Sequence, residues 1–174
     1  SKPQKSDHVD SNILPVFVVG APASGKTTLI SNFIDKFDMY MLASPKATVS
    51  GEVCAAGHYA GTTFDGADRI AYDKALKTIS YIEEQSFFGC KLLFLDGDRV
   101  STSNILSHLM KYKPICIHLD IGMETHIERS KIRGSNQNEN WVKGRFTKSK
   151  NFFLKFKKER RVSIDASNSK EKVF

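Results

Sequence analysis

The sequence predicts an α/β fold in which helices cover both faces of a five-stranded parallel sheet. Short apolar runs rich in β-branched and aromatic residues alternate with longer segments of helical spacing, which is the pattern of a parallel sheet. The chain has 174 residues, of which 40% are hydrophobic and 26% are charged, so it can bury the core of one domain. Its apolar runs fall short of the ~18 residues that a membrane-spanning helix needs.

Strands are predicted where short apolar runs are bounded by polar or glycine-rich residues. These segments are residues 13–19, 38–43, 91–95, 114–119 and 161–164. The predicted helices are one that follows the turn at residues 20–27 and ends near Phe37, then residues 67–86, 103–110, 123–131 and 151–161. We expect a flexible tail over residues 1–12, a single domain over 13–174, and a long functional loop over 44–66.

Positive charge is concentrated in one part of the chain. The net charge is +7, but residues 129–161 hold twelve lysines and arginines against Glu139 and Glu159, a net +10, so the remainder carries −3. A basic surface on a mildly acidic body predicts a polyanionic partner, such as nucleotide phosphates or a nucleic-acid backbone. A solvated basic helix is the alternative.

The cysteines and the first residues bear on the compartment. Cys54, Cys90 and Cys116 are odd in number and far apart, so they match neither a disulfide framework nor a zinc-binding spacing. Residues 1–12 lack the apolar segment of a secretory signal. Both features predict a reducing compartment, the cytoplasm.

The strongest motif directly follows the first predicted strand. Residues 20–27 read GAPASGKT and fit G-x-x-x-x-G-K-[ST], in which glycines let backbone N–H groups wrap a phosphate at a helix N-terminus. We expect Lys26 to reach the β- and γ-phosphates and act in catalysis, and the Thr27 hydroxyl to bind Mg²⁺. The predicted nucleotide-binding residues are Gly20, Ala23, Ser24, Gly25, Lys26, Thr27 and Thr28.

An acidic pair follows the third predicted strand. The run KLLFL at residues 91–95 delivers Asp96 to the edge of the sheet, where a carboxylate can hold Mg²⁺. Asp98 could coordinate too or accept a proton from an acceptor hydroxyl, with turn capping as the alternative. Arg99 is assigned to the substrate. Because the ends of parallel strands share one rim, this cluster should meet the first one.

A mixed polar and aromatic segment follows the second predicted strand. Residues 58–69 read HYAGTTFDGADR, a mixture that core packing does not need. Tyr59 or Phe64 could stack on a base, and Asp65 or Asp68 could be a general base. The alternative is a loop in which Asp65 caps the next helix. The predicted substrate-binding residues are His58, Tyr59, Thr62, Asp65 and Arg69, and the predicted catalytic residue is Asp68.

Residues 129–150 are predicted to form a mobile basic lid. Arg129 and Arg133 are four residues apart and therefore face one side of a helix. They are expected to contact the transferring phosphoryl group, Arg129 also binding ATP, and Arg145 to contact the substrate. An exposed basic loop is the alternative. Ser167, in the turn after the last predicted strand, could border the adenine.

Taken in order, these motifs resemble the nucleotide-kinase group of P-loop phosphotransferases. The resemblance rests on residues 20–27, Asp96, the Arg129 and Arg133 pair and residues 164–167, and it covers roughly residues 13–170. It implies a P-loop kinase fold with strand order 2-3-1-4-5, and phosphoryl transfer from ATP with Mg²⁺.

Two stretches suggest a narrower resemblance. Residues 58–69 and 133–148 look like those of phage P-loop kinases that phosphorylate 5-hydroxymethyluracil already built into DNA, a step in thymine hypermodification. The resemblance implies that Lys26, Thr27 and Asp96 handle ATP and Mg²⁺. The partner would be DNA that carries a modified pyrimidine, with its base facing residues 58–69.

Other functions remain open at this stage. Polynucleotide 5′-kinases carry an aspartate soon after the second strand, where this chain has Ser44-Pro45-Lys46, so the base would have to be Asp65, Asp68 or Asp98. A nucleoside or nucleotide monophosphate kinase needs the same ATP machinery with a smaller acceptor pocket. A non-catalytic nucleotide-binding protein is a third possibility, although a GTPase is disfavoured because Asn-Lys-x-Asp is absent.

Overall fold

A seven-stranded mixed sheet forms the centre of the computed structural model, which describes residues 12–21, 24–59, 66–67, 70–122, 124–125, 127–128 and 139–166. The strands are β1 (Leu14–Gly20), β2 (Tyr40–Ala43), β3 (Lys46–Ser50), β4 (Val53–Ala56), β5 (Leu92–Asp96), β6 (Ile115–Asp120) and β7 (Arg161–Asp165). Their order across the sheet is β2-β3-β4-β5-β1-β6-β7.

The sheet combines a parallel part with an antiparallel edge. Strands β4, β5, β1, β6 and β7 run parallel, and β2, β3 and β4 are joined by antiparallel pairings. In the parallel part Val18 of β1 is in register with Asp96 of β5. This register brings the C-terminal ends of the two central strands to the same rim.

The predicted five-stranded, all-parallel sheet of order 2-3-1-4-5 is therefore wrong. Its first, third, fourth and fifth strands are β1, β5, β6 and β7, and these four lie in the predicted neighbour order. The predicted second strand is β2, which lies at the antiparallel edge. The place beside β5 is taken by β4, from within the stretch predicted as a loop over residues 44–66.

The hairpin of β3 and β4 was missed because its buried residues are small. Ser50 pairs with Val53 across the two-residue turn Gly51-Glu52, and Gly51 has a φ of +55°, which glycine adopts readily. Ala47, Ala55 and their neighbours are buried but give no strong apolar run. The glycines of this stretch mark a hairpin turn and close packing rather than one long loop.

Four α-helices are described: α1 (Lys26–Ser31), α2 (Ala75–Glu84), α3 (Ser103–Leu109) and α4 (Glu139–Phe153). Three of the predicted helices have wrong boundaries. Helix α1 ends at Ser31 rather than near Phe37, and α2 begins at Ala75 rather than at residue 67. The helix predicted over 151–161 lies mostly before that range, as α4. The second half of the predicted lid is thus helical. None of the described helices is long and apolar enough to cross a membrane.

Both faces of the sheet are covered. Successive residues of β1 point to opposite faces, and the apolar side chains on each face are buried. Phe17 belongs to a buried cluster that includes residues of α2, α3 and α4, and its ring centroid lies 5.3 Å from that of Phe152 in α4. Val16 and Val18 face the other side, where Ile30 of α1 is fully buried. Helix α4 therefore belongs to the core and packs against β1 and β6.

A buried histidine lies beneath α4. His118 of β6 packs its ring against Phe153, and its Nδ1 lies 3.4 Å from the Ser163 hydroxyl oxygen. Burial lowers the pKa of His118, and the positive charges of Lys150 and Lys26 lower it further against the opposing effect of Asp120. The ring is therefore neutral in the folded protein near pH 7.

This lowered pKa makes stability depend on pH. Below its ordinary pKa of ~6.5 a histidine of the unfolded chain takes up a proton that folded His118 resists, so protonation favours unfolding. We expect the free energy of unfolding to decline as the pH falls from about 7 to about 5. Urea unfolding across this range measures the decline.

His118→Gln should flatten that part of the decline, because glutamine does not titrate. The matched control is His108→Gln, which removes a histidine that pairs with Glu83. Superimposable pH profiles for wild type and His118→Gln would contradict the assignment.

Candidate active site

The loop between β1 and α1 has the shape of a phosphate-binding turn. Gly25 takes a φ of 99° directly before α1, and its carbonyl accepts the Leu29 N–H at 2.9 Å. At Gly20 only glycine fits, because a Cβ there would lie 2.6 Å from the Ser24 Oγ and 2.8 Å from the Leu119 carbonyl oxygen. The close backbone turn leaves the first N–H groups of α1 pointing toward the rim.

Polar groups inside this loop are placed for an anion. The Lys26 ammonium donates hydrogen bonds to the Gly20 carbonyl at 3.0 Å and the Ala21 carbonyl at 3.2 Å. The Ser24 hydroxyl is buried and has no hydrogen-bond partner among the described residues. Because buried polar groups normally have partners, this hydroxyl is suited to bind a phosphate oxygen.

The two oxygens that the sequence assigned to Mg²⁺ lie together. The Thr27 hydroxyl donates to the Asp96 carboxylate Oδ2 at 3.0 Å, and Asp96 is only 5% exposed. The Tyr59 hydroxyl lies 3.4 Å from the same oxygen and donates to it. Asp96 thus holds a fixed orientation at the end of β5, next to the loop that contains Lys26.

This arrangement fits Mg²⁺, which prefers oxygen ligands and usually takes one or two from the protein, with water and phosphate oxygens as the others. The described residues contain no group of three or more His, Cys, Asp or Glu side chains that could hold a metal by themselves. Thr27 and Asp96 would therefore supply a minority of the ligands. When bound, Mg²⁺ would neutralise charge on the transferring phosphate.

A glycine from beyond β4 closes this cluster. A Cβ on Gly66 would lie 3.1 Å from the Asp96 Oδ2, 3.3 Å from the Thr27 Oγ1 and 3.5 Å from the Tyr59 hydroxyl oxygen. Gly66 pairs with His58 in an antiparallel bridge and packs against Gly57. Only the absence of a side chain leaves space beside the Asp96 and Thr27 oxygens.

Comparison with known protein families matches residues 11–163 to the family P-loop Nucleotide Kinase3. The chain belongs to the P-loop nucleotide kinases. A search of curated proteins finds no match. Membership implies a phosphotransferase, and kinases of this kind generally use ATP with Mg²⁺, which agrees with the chemistry of Lys26, Thr27 and Asp96.

In this kinase, two residues predicted to bind substrate make contacts within the fold. The Tyr59 ring is 1% exposed, so it has no free face on which a base could stack. The His58 Nε2–H donates to the Leu42 carbonyl at 2.7 Å and fastens β2 to the segment that follows β4. Both residues lie where the chain continues from β4 toward the core. The polar composition of residues 58–69 gives no indication of this continuation.

The predicted residues after β5 contact other elements of the fold. Asp98 forms an ion pair with Arg145 of α4, and the Arg145 guanidinium carbon lies 4.8 Å above the centre of the Trp141 ring. Arg99 donates to the Ile70 carbonyl and lies 4.6 Å above the Tyr72 ring. The loop after β5 therefore connects the end of β5 to α4 and to the segment before α2.

Some predicted residues fall outside the described part of the chain, and their roles stay predictions. They are Ala23, Thr62, Phe64, Asp65, Asp68, Arg69, Arg129, Arg133 and Ser167. Of the nucleotide-binding set, Gly20, Ser24, Gly25, Lys26 and Thr27 lie together, and Thr28 follows in the first turn of α1. Asp65, Asp68 and Asp98 stay the three predicted candidates for the general base.

Sequence reasoning missed a small cavity beside the site. It lies at the ends of β1 and β5 beneath α4, and Ser101 and Ser149 are both buried there. Its lining residues are Val19, Gly20, Gly97, Asp98, Ser101, Lys148, Ser149 and Phe152. The available signal was Ser149, Phe152 and Phe156 at helical spacing, which the many lysines of this stretch obscured.

We expect Gly66→Ala to abolish most Mg²⁺-dependent ATP binding, because its methyl group would crowd Asp96 and Thr27. The matched control is Gly89→Ala. Gly89 also has a positive φ, +74° against +97° for Gly66, but has open space around its Cα. Both variants should lose about 1–2 kcal/mol of stability through backbone strain. Only Gly66→Ala should lose nucleotide affinity in calorimetric titrations, and equal affinities would contradict the crowding.

Tyr59→Phe should raise the Mg²⁺ concentration needed for half-maximal ATP binding by about tenfold, as is typical when a partner of a metal ligand is removed. The cause is the loss of the hydroxyl that orients the Asp96 carboxylate. The same substitution at Tyr112 is the control, because that hydroxyl faces Glu83. Titrating ATP at a series of Mg²⁺ concentrations measures the shift, and an unchanged requirement in Tyr59→Phe would refute it.

Proposed function

We propose that the protein transfers the γ-phosphoryl group of ATP to the hydroxymethyl group of 5-hydroxymethyluracil in DNA. The observation that carries the phosphoryl transfer is the contact between Thr27 and Asp96 beside Lys26. The choice of a DNA acceptor is supported by the sequence resemblance and by the basic surface next to this site. The ion pair between Asp98 and Arg145 joins the two.

The reaction makes one bond and breaks one. The acceptor hydroxyl oxygen attacks the γ-phosphorus of ATP and forms the new P–O bond, while the bond from that phosphorus to the β,γ-bridging oxygen breaks and ADP leaves with the electron pair. The hydroxyl proton passes to a carboxylate, for which Asp65, Asp68 and Asp98 are the candidates. Asp98 would first have to exchange its ion pair with Arg145 for a contact with the acceptor.

The chain's own groups account for nucleotide binding. Lys26, the Ser24 hydroxyl and the backbone N–H groups at the start of α1 bind phosphate oxygens, and their positive ends stabilise the charge that builds up on them. Tyr59 holds the Asp96 carboxylate in place. Pre-orientation of this kind removes the cost of rearranging dipoles during the transfer.

The basic surface suits a long polyanion better than a single nucleotide. It consists of exposed lysines on α4 and on the turn that leads to β7. These are Lys143, Lys148, Lys150, Lys155, Lys157 and Lys158. Their number exceeds what one triphosphate can neutralise, so we assign the surface to the phosphate backbone of DNA.

A second candidate is a nucleotide kinase that acts on free nucleoside monophosphates. The family name favours it, since the matching family is one of nucleotide kinases. Such an enzyme would use the same ATP site and a small acceptor pocket. Its affinity for the acceptor would depend little on salt, whereas a DNA acceptor would lose affinity steeply as several phosphate contacts are screened.

The test is transfer of label from γ-labelled ATP to four acceptors: DNA with 5-hydroxymethyluracil, ordinary DNA with 5′-hydroxyl ends, free nucleosides, and nucleoside monophosphates. We expect label in the first alone. Lys26→Ala should lower the rate by about 10²–10³-fold, because it removes a charged phosphate ligand. The control is Lys91→Ala, which removes an exposed lysine just before β5 that forms an ion pair with Glu52.

The four acceptors separate the candidates. Label in monophosphates alone would replace the proposal with the second candidate, and label on 5′-hydroxyl ends would indicate a polynucleotide end kinase. If Lys26→Ala kept the wild-type rate, the assignment of the phosphate-binding loop itself would be wrong.

A further inference from the structure

Two exposed aromatic side chains flank the loop that follows β5, and each is covered on one face by an arginine. Trp141 of α4 is 38% exposed beneath the Arg145 guanidinium, and Tyr72 is 63% exposed beneath that of Arg99. Arg145 is ion-paired with Asp98, the residue next to Arg99. The first stack therefore contacts Asp98 through Arg145, and the second contains Arg99 itself. Asp98 and Arg99 are consecutive and lie two and three positions after Asp96.

These aromatic residues differ from two other exposed ones, Phe33 and Tyr40. Phe33 is half exposed, but its ring packs on Phe94 at a centroid distance of 5.1 Å, on the face opposite to α4. Tyr40 begins β2 and its ring contacts Phe88. Because β2 runs parallel to β5 and Tyr40 is its first residue, Tyr40 lies at the opposite end of the strands from the phosphate-binding loop.

The surroundings of the first stack are positively charged. Lys143, Lys148 and Lys150 are exposed on the same helix as Trp141, and Lys148 also lines the small cavity with Asp98. An aromatic ring among cations suits a polynucleotide, whose phosphates meet the cations while a base meets the ring.

We propose that Trp141 and Tyr72 are stacking platforms for unpaired nucleobases of a single-stranded or locally opened DNA substrate. The inference rests on the proposed DNA acceptor and goes beyond it by naming where the bases bind. Each ring has an arginine over one face, and each residue keeps exposed surface, 38% for Trp141 and 63% for Tyr72, to which a base is assigned.

Such platforms answer an energetic need of the proposed reaction. A hydroxymethyl group inside a stacked duplex cannot reach a phosphoryl donor, so the base must be extruded or unpaired at a cost of a few kcal/mol. Stacking on a protein ring recovers part of that cost. The described part of residues 58–69 does not provide such a ring, because Tyr59 is buried.

The test uses Trp141→Leu and Tyr72→Leu in the full chain, with Tyr40→Leu as the matched loss of an exposed aromatic residue elsewhere. The probe is a short fluorescein-labelled oligothymidylate, whose binding is followed by anisotropy at several salt concentrations. Trp141 is the single tryptophan of the chain, so its own fluorescence reports base stacking directly in the wild type. Thermal melting shows whether each variant is folded.

We expect single-stranded DNA to quench the tryptophan fluorescence, and each platform variant to bind about 5- to 100-fold more weakly. The salt dependence should keep its slope, because stacking releases no counterions. Lys148→Ala should instead lower the slope. Tyr40→Leu should bind as the wild type does.

The outcomes distinguish this inference from the proposed function. Wild-type affinity in folded Trp141→Leu and Tyr72→Leu would overturn the platforms, even if the kinase labels DNA. Absence of quenching and of DNA binding in the wild type would also overturn them. Conversely, DNA binding that depends on both rings, together with labelling of free nucleotides alone, would support the platforms and refute the proposed acceptor.

Discussion

The hydrogen bond between Thr27 and Asp96 is the contact on which the rest of the site depends. It joins the helix after β1 to the end of β5, and it is possible because Val18 and Asp96 are in register across parallel strands. A one-residue slip would turn Asp96 to the other face of the sheet. The buried residues of β1 on both faces therefore also fix the geometry of the phosphate site.

Burying Asp96 imposes a second constraint. A carboxylate that is 5% exposed is stable only with hydrogen-bond donors around it, and the Thr27 and Tyr59 hydroxyls supply them. Tyr59 reaches Asp96 because β4 lies beside β5 and the chain continues straight into the core. The chain then returns at Gly66, where a side chain would fill the space beside the two oxygens. The segment that follows β4 thus completes the surroundings of the Asp96 carboxylate.

The sequence predicted those parts of the fold that follow from strong hydrophobic signals. Strands β1 and β5 are nearly continuous apolar runs, and β6 and β7 carry shorter or alternating apolar residues. The G-x-x-x-x-G-K-[ST] pattern located Lys26 and Thr27. Strands β3 and β4 bury alanines and threonine, whose weak apolar signal cannot be told from a loop. The burial of Tyr59 was missed for a related reason: an aromatic residue next to polar ones suggests a surface, whereas tertiary pairing carries it into the core. Helix α4 was misplaced because Lys143, Lys148 and Lys150 obscure its apolar spacing.

Arg145 connects the two activities proposed for this rim. Its guanidinium pairs with Asp98 and also covers Trp141, so one side chain contacts a candidate proton acceptor and a candidate base platform. A base that stacks on Trp141 would change the surroundings of Arg145 and thereby the strength of its pairing with Asp98. Under the proposed mechanism the carboxylate must leave Arg145 before it accepts a proton. Asp98 and Trp141 are therefore coupled through one guanidinium, so the effects of substituting them should not be additive.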